Sequence, residues 1–165
     1  MTAEEAVARL GLLPHPEGGF YRETYRSTEV LPRAALPERF AGPRAISTAI
    51  LYLLPEGAKS RLHRIAADEL WYFHLGGPLE LIELSPDGKV EMTILGSDLA
   101  RGEVLQKAVA AGRWFGARPR PGAGWSLLGC SVAPGFDFAD FALGRRSDLL
   151  AAFPSAQAEI LALTD

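Results

Sequence analysis

His63 and Glu69 are the residues of this 165-residue chain whose types and spacing best suit acid–base chemistry. Glu69 precedes the apolar run Leu70-Trp71-Tyr72-Phe73, where an unpaired carboxylate would cost free energy, so it needs a partner. His63 is the natural candidate, because a carboxylate can hold an imidazole in one tautomer and support proton transfer near neutral pH. We expect His63 to act as a base that Glu69 orients. A structural His–Glu link inside a β core is the alternative.

Three aromatic residues are candidates for the wall of a binding pocket. Trp71, Trp114 and Phe115 lie in apolar runs and offer flat surfaces that suit a sugar or a planar ring. Aromatic residues in strands also serve as plain core, so packing without ligand contact is the alternative for each of them.

Polar candidates for ligand contact are spread over three runs. Gln106 could hydrogen-bond a ligand or face water at a sheet edge, and Arg22 could bind a carboxylate or phosphate through two hydrogen bonds or lie on a solvated face. His74 follows Glu69 by five positions, so strict alternation places it on the opposite face unless a β-bulge intervenes. These three residues complete the predicted ligand-binding set.

The surrounding elements follow from turn signals and hydrophobic periodicity. Thr2 and Glu5 have capping-box spacing, which predicts a helix over residues 3–12. Short alternating or apolar runs separated by Gly and Pro predict a β core over about 18–143, followed by helices over 147–163. Regular short strands are typical of a sandwich or barrel, so we expect one all-β domain with short flanking helices.

Local signals add detail to this outline. Leu79–Leu84 and Val90–Leu95 are predicted to form a hairpin, because the intervening Asp-Gly pair tolerates the positive φ of a tight turn. Residues 29–44 contain several prolines and predict a loop. Ser147 and Ser155 are expected to cap the two C-terminal helices.

The segment from Gly57 to Gly76 resembles the first motif of the cupins. That motif consists of a Gly, five residues, His-x-His, three or four residues, a Glu, six residues and a Gly. In this chain every spacing fits and only the second His is absent, because Ile65 occupies its place. In metal cupins these groups and a later His bind a divalent transition ion. If the protein held a metal, the resemblance would assign it to His63 and Glu69.

A weaker likeness to the second cupin motif covers residues 106–115. Ala110 stands in place of its Pro, and Phe115 stands in place of the last metal-binding His. Two of the four ligand positions are therefore apolar, which disfavours a tightly bound transition metal. The sequence identifies no other cofactor.

Together with His15–Arg22, Ser47–Ile50 and Ala133–Phe138, these motifs resemble the Cupin_5 branch, a domain of unknown function, from about residue 10 to 153. The resemblance implies a jelly-roll barrel, usually a dimer, with a polar and aromatic pocket. It supplies no established reaction. The branch is also similar in fold to deoxysugar epimerases, of the RmlC-like type, which is an analogy of fold and carries no function by itself.

Composition excludes several classes of protein. Apolar residues make up 48% and charged residues 22%, as in an average globular domain. The net charge of -3 and the absence of a basic run argue against a nucleic-acid partner. No run is long and apolar enough to span a membrane, and no secretory signal is evident. The lone Cys130 has no disulfide partner in the chain, so we expect a cytoplasmic protein. Cys130 itself is expected to be a small buried hydrophobe.

Three functions stay open at this stage. The first is a small-molecule-binding cupin that catalyses isomerisation, epimerisation or another proton transfer on a carbohydrate-like or carboxylated metabolite. The second is a metal-dependent oxygenase-type enzyme. The third is a non-catalytic ligand-binding or storage protein, since no complete catalytic motif is present. A second copy of the chain is expected as a partner, because the aromatic strand Phe20–Tyr25 leaves an exposed sheet edge.

Overall fold

A computed structural model describes all residues from 1 to 165. The strands are β1 (Leu13–Pro14), β2 (Phe20–Arg26), β3 (Val30–Leu31), β4 (Arg44–Ala45), β5 (Thr48–Leu54), β6 (Ser60–Arg64), β7 (Asp68–Gly76), β8 (Leu79–Leu84), β9 (Val90–Leu95), β10 (Gln106–Val109), β11 (Trp114–Pro119), β12 (Ser126–Ala133) and β13 (Ala142–Leu143). The helices are α1 (Ala3–Leu10), α2 (Arg146–Ala152) and α3 (Gln157–Leu163).

Two antiparallel sheets form the body of the molecule. The larger sheet has the order β1-β2-β5-β12-β7-β10, and the smaller has the order β13-β6-β11-β8-β9. Strands far apart in sequence are neighbours in both sheets, as the crossovers of a jelly roll require. The fold is therefore the predicted all-β jelly roll with short flanking helices.

The main core fills one end of the space between the sheets. Eleven buried residues from both sheets form it: Tyr52, Leu54, Trp71, Leu79, Leu81, Leu95, Val109, Phe115, Ala117, Leu128 and Cys130. Helices α2 and α3 pack on the outside of the smaller sheet through a separate cluster that includes Leu62, Ile82 and Ile160. Helix α1 covers one end of the outside of the larger sheet.

The N-terminal helix has the predicted capping box. The Glu5 N–H donates to Thr2 Oγ1 at 3.2 Å, and the Thr2 N–H donates to Glu5 Oε2 at 3.0 Å. The helix ends at Leu10, two residues before the predicted end, because Gly11 takes the left-handed conformation with φ 62°.

The predicted hairpin is present, since Leu79–Leu84 pairs in full with Val90–Leu95. The predicted serine caps are wrong. Ser147 lies inside α2, which begins after Arg145, and Ser155 lies in a short 3-10 turn before α3, where its hydroxyl donates to the Gly88 carbonyl at 2.6 Å. Neither helix has a side-chain hydrogen bond at its N-cap.

Residues 29–44 form a packed flap where the sequence predicts a loop. Strands β3 and β4 pair with each other, and the Phe40 side chain between them is fully buried. Phe40 packs with Ile65 and Val132, so the flap closes one end of the jelly roll. No helix of the protein has the length and apolar character needed to span a bilayer.

Candidate functional site

A cavity of about 490 Å³ opens between the two sheets. At its buried end lie polar side chains from both sheets and from the segment before β2: His15, Glu17, Tyr52, His63, Glu69, Trp71 and Cys130. At its open end lie more exposed residues, including Leu13, Glu23, Arg26, Asp137 and Phe138. The cavity therefore has a buried polar floor and a charged mouth, and its size suits a small metabolite.

His63 and Glu17 form a close contact at the floor. His63 Nδ1 lies 2.7 Å from the Arg61 carbonyl oxygen, which can only accept, so Nδ1 carries a proton. Its Nε2 lies 3.2 Å from Glu17 Oε2, while Glu17 Oε1 accepts from the Ser60 hydroxyl at 2.7 Å. Because Nε2 and a carboxylate oxygen both carry lone pairs, this contact is favourable when one proton lies between them.

Glu17 reaches the floor because a tight segment crosses between the sheets. The Arg61 N–H donates to the Glu17 carbonyl at 2.9 Å, and the Tyr52 hydroxyl donates to the Gly18 carbonyl at 2.8 Å. Gly18 has φ 117°, and a Cβ there would lie 2.1 Å from the Lys59 carbonyl oxygen, so only glycine permits this close approach to β6.

His15 is the second histidine of the floor. Its Nδ1 accepts from the Glu17 backbone N–H at 3.3 Å and lies 3.5 Å from Glu17 Oε2. Burial lowers the pKa of His15 and the nearby Glu17 charge offsets part of this, so the ring is neutral near pH 7 with its proton on Nε2.

Glu69 is a buried carboxyl with no salt-bridge partner. Burial is the main cause that raises its pKa to about 8, and the charge of Glu17 adds to the rise. Trp71 and Cys130 lie near the carboxyl and oppose the rise, although the Trp71 N–H makes no hydrogen bond within the protein. Glu69 is thus a proton donor at neutral pH.

The structure brings four of the predicted site residues to the cavity: Arg22, His63, Glu69 and Trp71. His63 reaches it from β6 in the smaller sheet, and Glu69 from β7 in the larger one. The expected His63–Glu69 pairing is replaced by His63–Glu17. Arg22 only borders the cavity, because its register partner Leu51 packs on the outer face of the sheet.

Gln106 and His74 lie outside the cavity. Gln106 pairs with Tyr72, which alternates with the cavity residue Trp71, so Gln106 is on the outer face and exposed. His74 is exposed at a bulge in β7, and its ring covers Gly129 on the same outer face. The alternation along β7 that places Glu69 and Trp71 inside therefore directs these two residues outward.

Trp114 and Phe115 also take positions other than the predicted pocket wall. Trp114 packs with the cluster under α2 and α3, and the Arg64 guanidinium lies 4.7 Å from its ring centre. Phe115 faces inward but lies behind His63, with ring centres 4.1 Å apart, and does not line the cavity. Adjacent strand residues face opposite sides, so at most one of this pair could have faced the interior.

Sequence reasoning missed His15, Glu17 and Tyr52 as site residues. His15 and Glu17 precede β2 in a segment without strand or helix periodicity, so nothing in the pattern showed which way they point. The available signal was the adjacent Gly18-Gly19 pair, which indicates a tight turn that positions two titratable side chains. Tyr52 lies in an apolar strand and gave no signal of its own.

The mouth carries an ion pair. Arg26 Nε and Nη2 donate to the two Glu23 carboxylate oxygens at 2.9 and 2.8 Å, and Nη2 also donates to the Phe136 carbonyl at 3.1 Å. Arg26 pairs in register with Thr48, a cavity residue, so it is the inward-facing arginine of β2. Its Nε and Nη2 donors are occupied by protein acceptors.

The transition metal of the cupins does not fit this set of side chains. Ile65 and Phe115 hold two of the ligand positions, and the Phe115 ring packs directly against the His63 imidazole. No group of three or more His, Cys, Asp or Glu side chains converges as metal ligands anywhere in the chain. His63 and Glu69 alone do not form a binding site of this type.

Comparison with known proteins identifies the family. The family model Cupin_5, described as Cupin superfamily (DUF985), matches residues 4–144. The chain belongs to the Cupin_5 family. An uncharacterized protein of Saccharomyces cerevisiae is 29% identical over 148 residues, which cover 84% of this Cupin_5 chain and 73% of the yeast protein.

Two solved structures resemble this Cupin_5 protein over its whole length. A Shewanella oneidensis protein is 40% identical, with TM-score 0.88 and coverage of 100% and 98% of the two chains. A hypothetical protein from Leishmania major is 34% identical, with TM-score 0.91 and coverage of 99% of both. Oxalate decarboxylase from Bacillus subtilis is 15% identical, with TM-score 0.55 and coverage of 91% and 36%, a likeness that concerns the fold alone.

Proposed function

We propose that this Cupin_5 protein binds a small polar metabolite in the cavity and catalyses a proton transfer on it. The reaction class is the isomerisation or epimerisation of a carbohydrate-like or carboxylated compound. One observation carries the proposal: the Glu17–His63 contact and the proton-donating Glu69 line the same cavity, with His63 and Glu69 on opposite sheets. Acid and base on two sides of one substrate are what such a reaction requires.

Glu69 suits the role of general acid. Its pKa of about 8 keeps the carboxyl protonated at neutral pH, yet close enough to neutrality for the proton to transfer readily. Activity that depends on this proton is expected to fall as the pH rises through about 8.

The Glu17–His63 pair suits the role of base. The Nδ1–H bond to the Arg61 carbonyl fixes the imidazole with Nε2 toward Glu17, and the Ser60 hydroxyl fixes the carboxylate. In its proton-free form the pair can take a proton from a ligand into the contact between Nε2 and Glu17 Oε2 without moving either side chain, which lowers the reorganisation that catalysis requires. The role that we expected of Glu69, to orient His63, is here assigned to Glu17.

Ligand binding and proton exchange test the proposal together. The melting temperature is measured with a panel of sugars, nucleotide sugars and organic acids for the native protein, His63→Ala, Glu69→Gln and the control Gln106→Ala. Compounds that stabilise the protein are then incubated in D₂O, and incorporation of deuterium at carbon is followed by NMR.

We expect at least one compound to stabilise the native and Gln106→Ala proteins, and to exchange with solvent only in their presence. His63→Ala and Glu69→Gln are expected to lower the exchange rate by about a hundredfold or more, as loss of a general acid or base does. Stabilisation without exchange would contradict catalysis and favour the non-catalytic binding protein. No stabilisation, or equal stabilisation of all four proteins, would contradict the cavity as the site.

The proposed setting is a reducing compartment such as the cytoplasm. Cys130 is buried and free, and burial raises the pKa of its thiol well above the ordinary value, so the inert thiol has no need of a disulfide partner. The open edge of β2 supports a homodimer in that compartment.

A further inference from the structure

Trp71 carries a buried hydrogen-bond donor that no protein group satisfies. The residue is 1% exposed, and its indole Nε1–H, which lies near the Glu69 carboxyl, has no partner at hydrogen-bond distance. A buried unsatisfied donor is costly, and native proteins retain few of them without a reason. A ligand in the cavity that Trp71 lines would supply the missing acceptor.

The indole cannot turn to find another partner. It is held edge-to-face by Tyr52 and Phe115, with ring centres 5.6 and 6.0 Å away, and Cys130 is its register partner on β12. The direction of the N–H is therefore fixed by packing, beside the Glu69 carboxyl. Two donors, an indole N–H and a protonated carboxyl, thus lie together at the floor.

The charges near the floor select the kind of acceptor. The arginines that border the cavity, Arg22 and Arg26, lie at its exposed end, and Arg26 is bound to Glu23. At the floor the groups that can carry positive charge are His63 and His15, and Glu17 contacts both of them. A carboxylate or phosphate bound there would be buried without a free countercharge. An uncharged oxygen needs no countercharge.

We propose that the cavity floor binds the carbonyl oxygen of an uncharged hydroxy-carbonyl compound, such as an open-chain sugar, through Trp71 Nε1–H and the Glu69 carboxyl. This inference rests on the proposed function and names its substrate class. It separates the carbohydrate-like from the carboxylated alternative, and it makes Trp71 the residue that selects for the carbonyl group.

The reaction balances without a co-reactant. The Glu17–His63 pair takes the proton from the carbon next to the carbonyl, and the C–H electron pair forms a C=C bond. The carbonyl π pair moves to oxygen, which receives the Glu69 proton, so an enediol results. In the second half of the reaction, the hydroxyl on the neighbouring carbon gives its proton to the Glu69 carboxylate and becomes the new carbonyl. The C=C electron pair takes back the proton that the Glu17–His63 pair holds.

A matched series of five-carbon probes tests the class of ligand. D-Ribulose carries a carbonyl at C2, ribitol lacks it, D-ribonate has a hydroxyl at C2 and a carboxylate at C1, and ribulose 5-phosphate adds a phosphate. Their dissociation constants are measured by calorimetry for the native protein, Trp71→Phe and Trp114→Phe. Trp114→Phe is the control, because it makes the same change under the C-terminal helices. Circular dichroism and melting temperature establish that each variant is folded.

We expect ribulose to bind at least about tenfold more tightly than ribitol and ribonate. Trp71→Phe should weaken ribulose binding by about tenfold, the loss of one buried hydrogen bond, and should leave the weak ribitol binding unchanged. Trp114→Phe should change neither. Tighter binding of ribonate or ribulose 5-phosphate than of ribulose would overturn the inference. A dissociation constant for ribulose that Trp71→Phe leaves unchanged would also overturn it.

Deuterium exchange at the ribulose carbons separates this inference from the proposed function. Binding of ribulose that depends on Trp71 but shows no exchange in D₂O would uphold the carbonyl receptor and contradict catalysis. Exchange on a charged probe that does not depend on Trp71 would uphold catalysis and contradict the receptor.

Discussion

At Glu69 the chemistry of the site and the stability of the fold depend on the same proton. In the unfolded chain this carboxyl ionises at its ordinary pKa near 4.5, whereas the folded protein keeps the proton up to about pH 8. The folded state therefore binds one more proton than the unfolded state between these values, and its stability falls as the pH rises by about 1.4 kcal/mol per pH unit. Below about pH 4.5 the contribution of the Glu69 proton to the stability of the fold is complete, and above about pH 8 this contribution is lost.

Glu69→Gln should remove this pH dependence, because an amide does not titrate. Relative to the native protein, the variant should gain at least about 2 kcal/mol in free energy of unfolding between pH 5 and pH 8, measured by urea denaturation. Glu56→Gln, at an exposed turn, is the control and should follow the native curve. Parallel curves for Glu69→Gln and the native protein would show that Glu69 is not held protonated.

The predictability of the site from sequence differs from residue to residue. His63, Glu69 and Trp71 lie in strands, where a period of two and a known motif spacing indicate the inward face. Glu17 was not predicted, because its contact with His63 joins positions 46 residues apart through a segment that has no periodicity. Such a contact depends on how the chain crosses between the sheets, which is a tertiary property.

At the scale of elements, register decides which predicted residues reach the cavity. The sequence predicted short strands over about 18–143, but the phase of β10 and β11 relative to β7 and β8 is set by pairing, and this pairing directs Gln106 and Trp114 outward. A shift of one residue would have reversed both assignments. Strand existence was therefore predictable from turn residues, whereas strand phase was not.

One ion pair joins the flap to the segment that borders the cavity. Arg44 Nε and Nη2 donate to the Asp140 carboxylate at 2.7 and 2.6 Å, and both side chains are buried. Asp140 ends a short helical turn whose neighbours Phe138 and Phe141 line the cavity. The pair thus fixes the position of one cavity wall relative to β4.

Arg44→Ala should lower the free energy of unfolding by about 2 kcal/mol, since it leaves Asp140 buried without its partner. It should also speed hydrogen–deuterium exchange in residues 136–141. Arg145→Ala breaks an exposed pair with Asp148 and should cost less than about 0.5 kcal/mol. Equal effects of the two substitutions, or unchanged exchange in 136–141, would contradict the role given to the Arg44–Asp140 pair.

For the molecule as a whole, the open edge of the larger sheet is the feature that a second copy would complete. Strand β1 pairs only with Phe20 and Tyr21, so the rest of β2 has no neighbour on its outer side. Tyr25 on this edge is 54% exposed. Proteins seldom leave such an edge uncovered, and a symmetric pairing of two edges removes it.

We therefore expect a homodimer, with light scattering giving twice the 17.8 kDa chain mass at micromolar concentration. Tyr25→Lys places a charge on the edge and should shift the mass to that of one chain, whereas Leu99→Lys, at an exposed 3-10 turn, should not. Because the same strand carries Glu23 and Arg26 at the cavity mouth, loss of the dimer should also weaken ligand binding. A native protein that scatters as a single chain would contradict edge pairing, and a dimer that survives Tyr25→Lys would assign the contact to another surface.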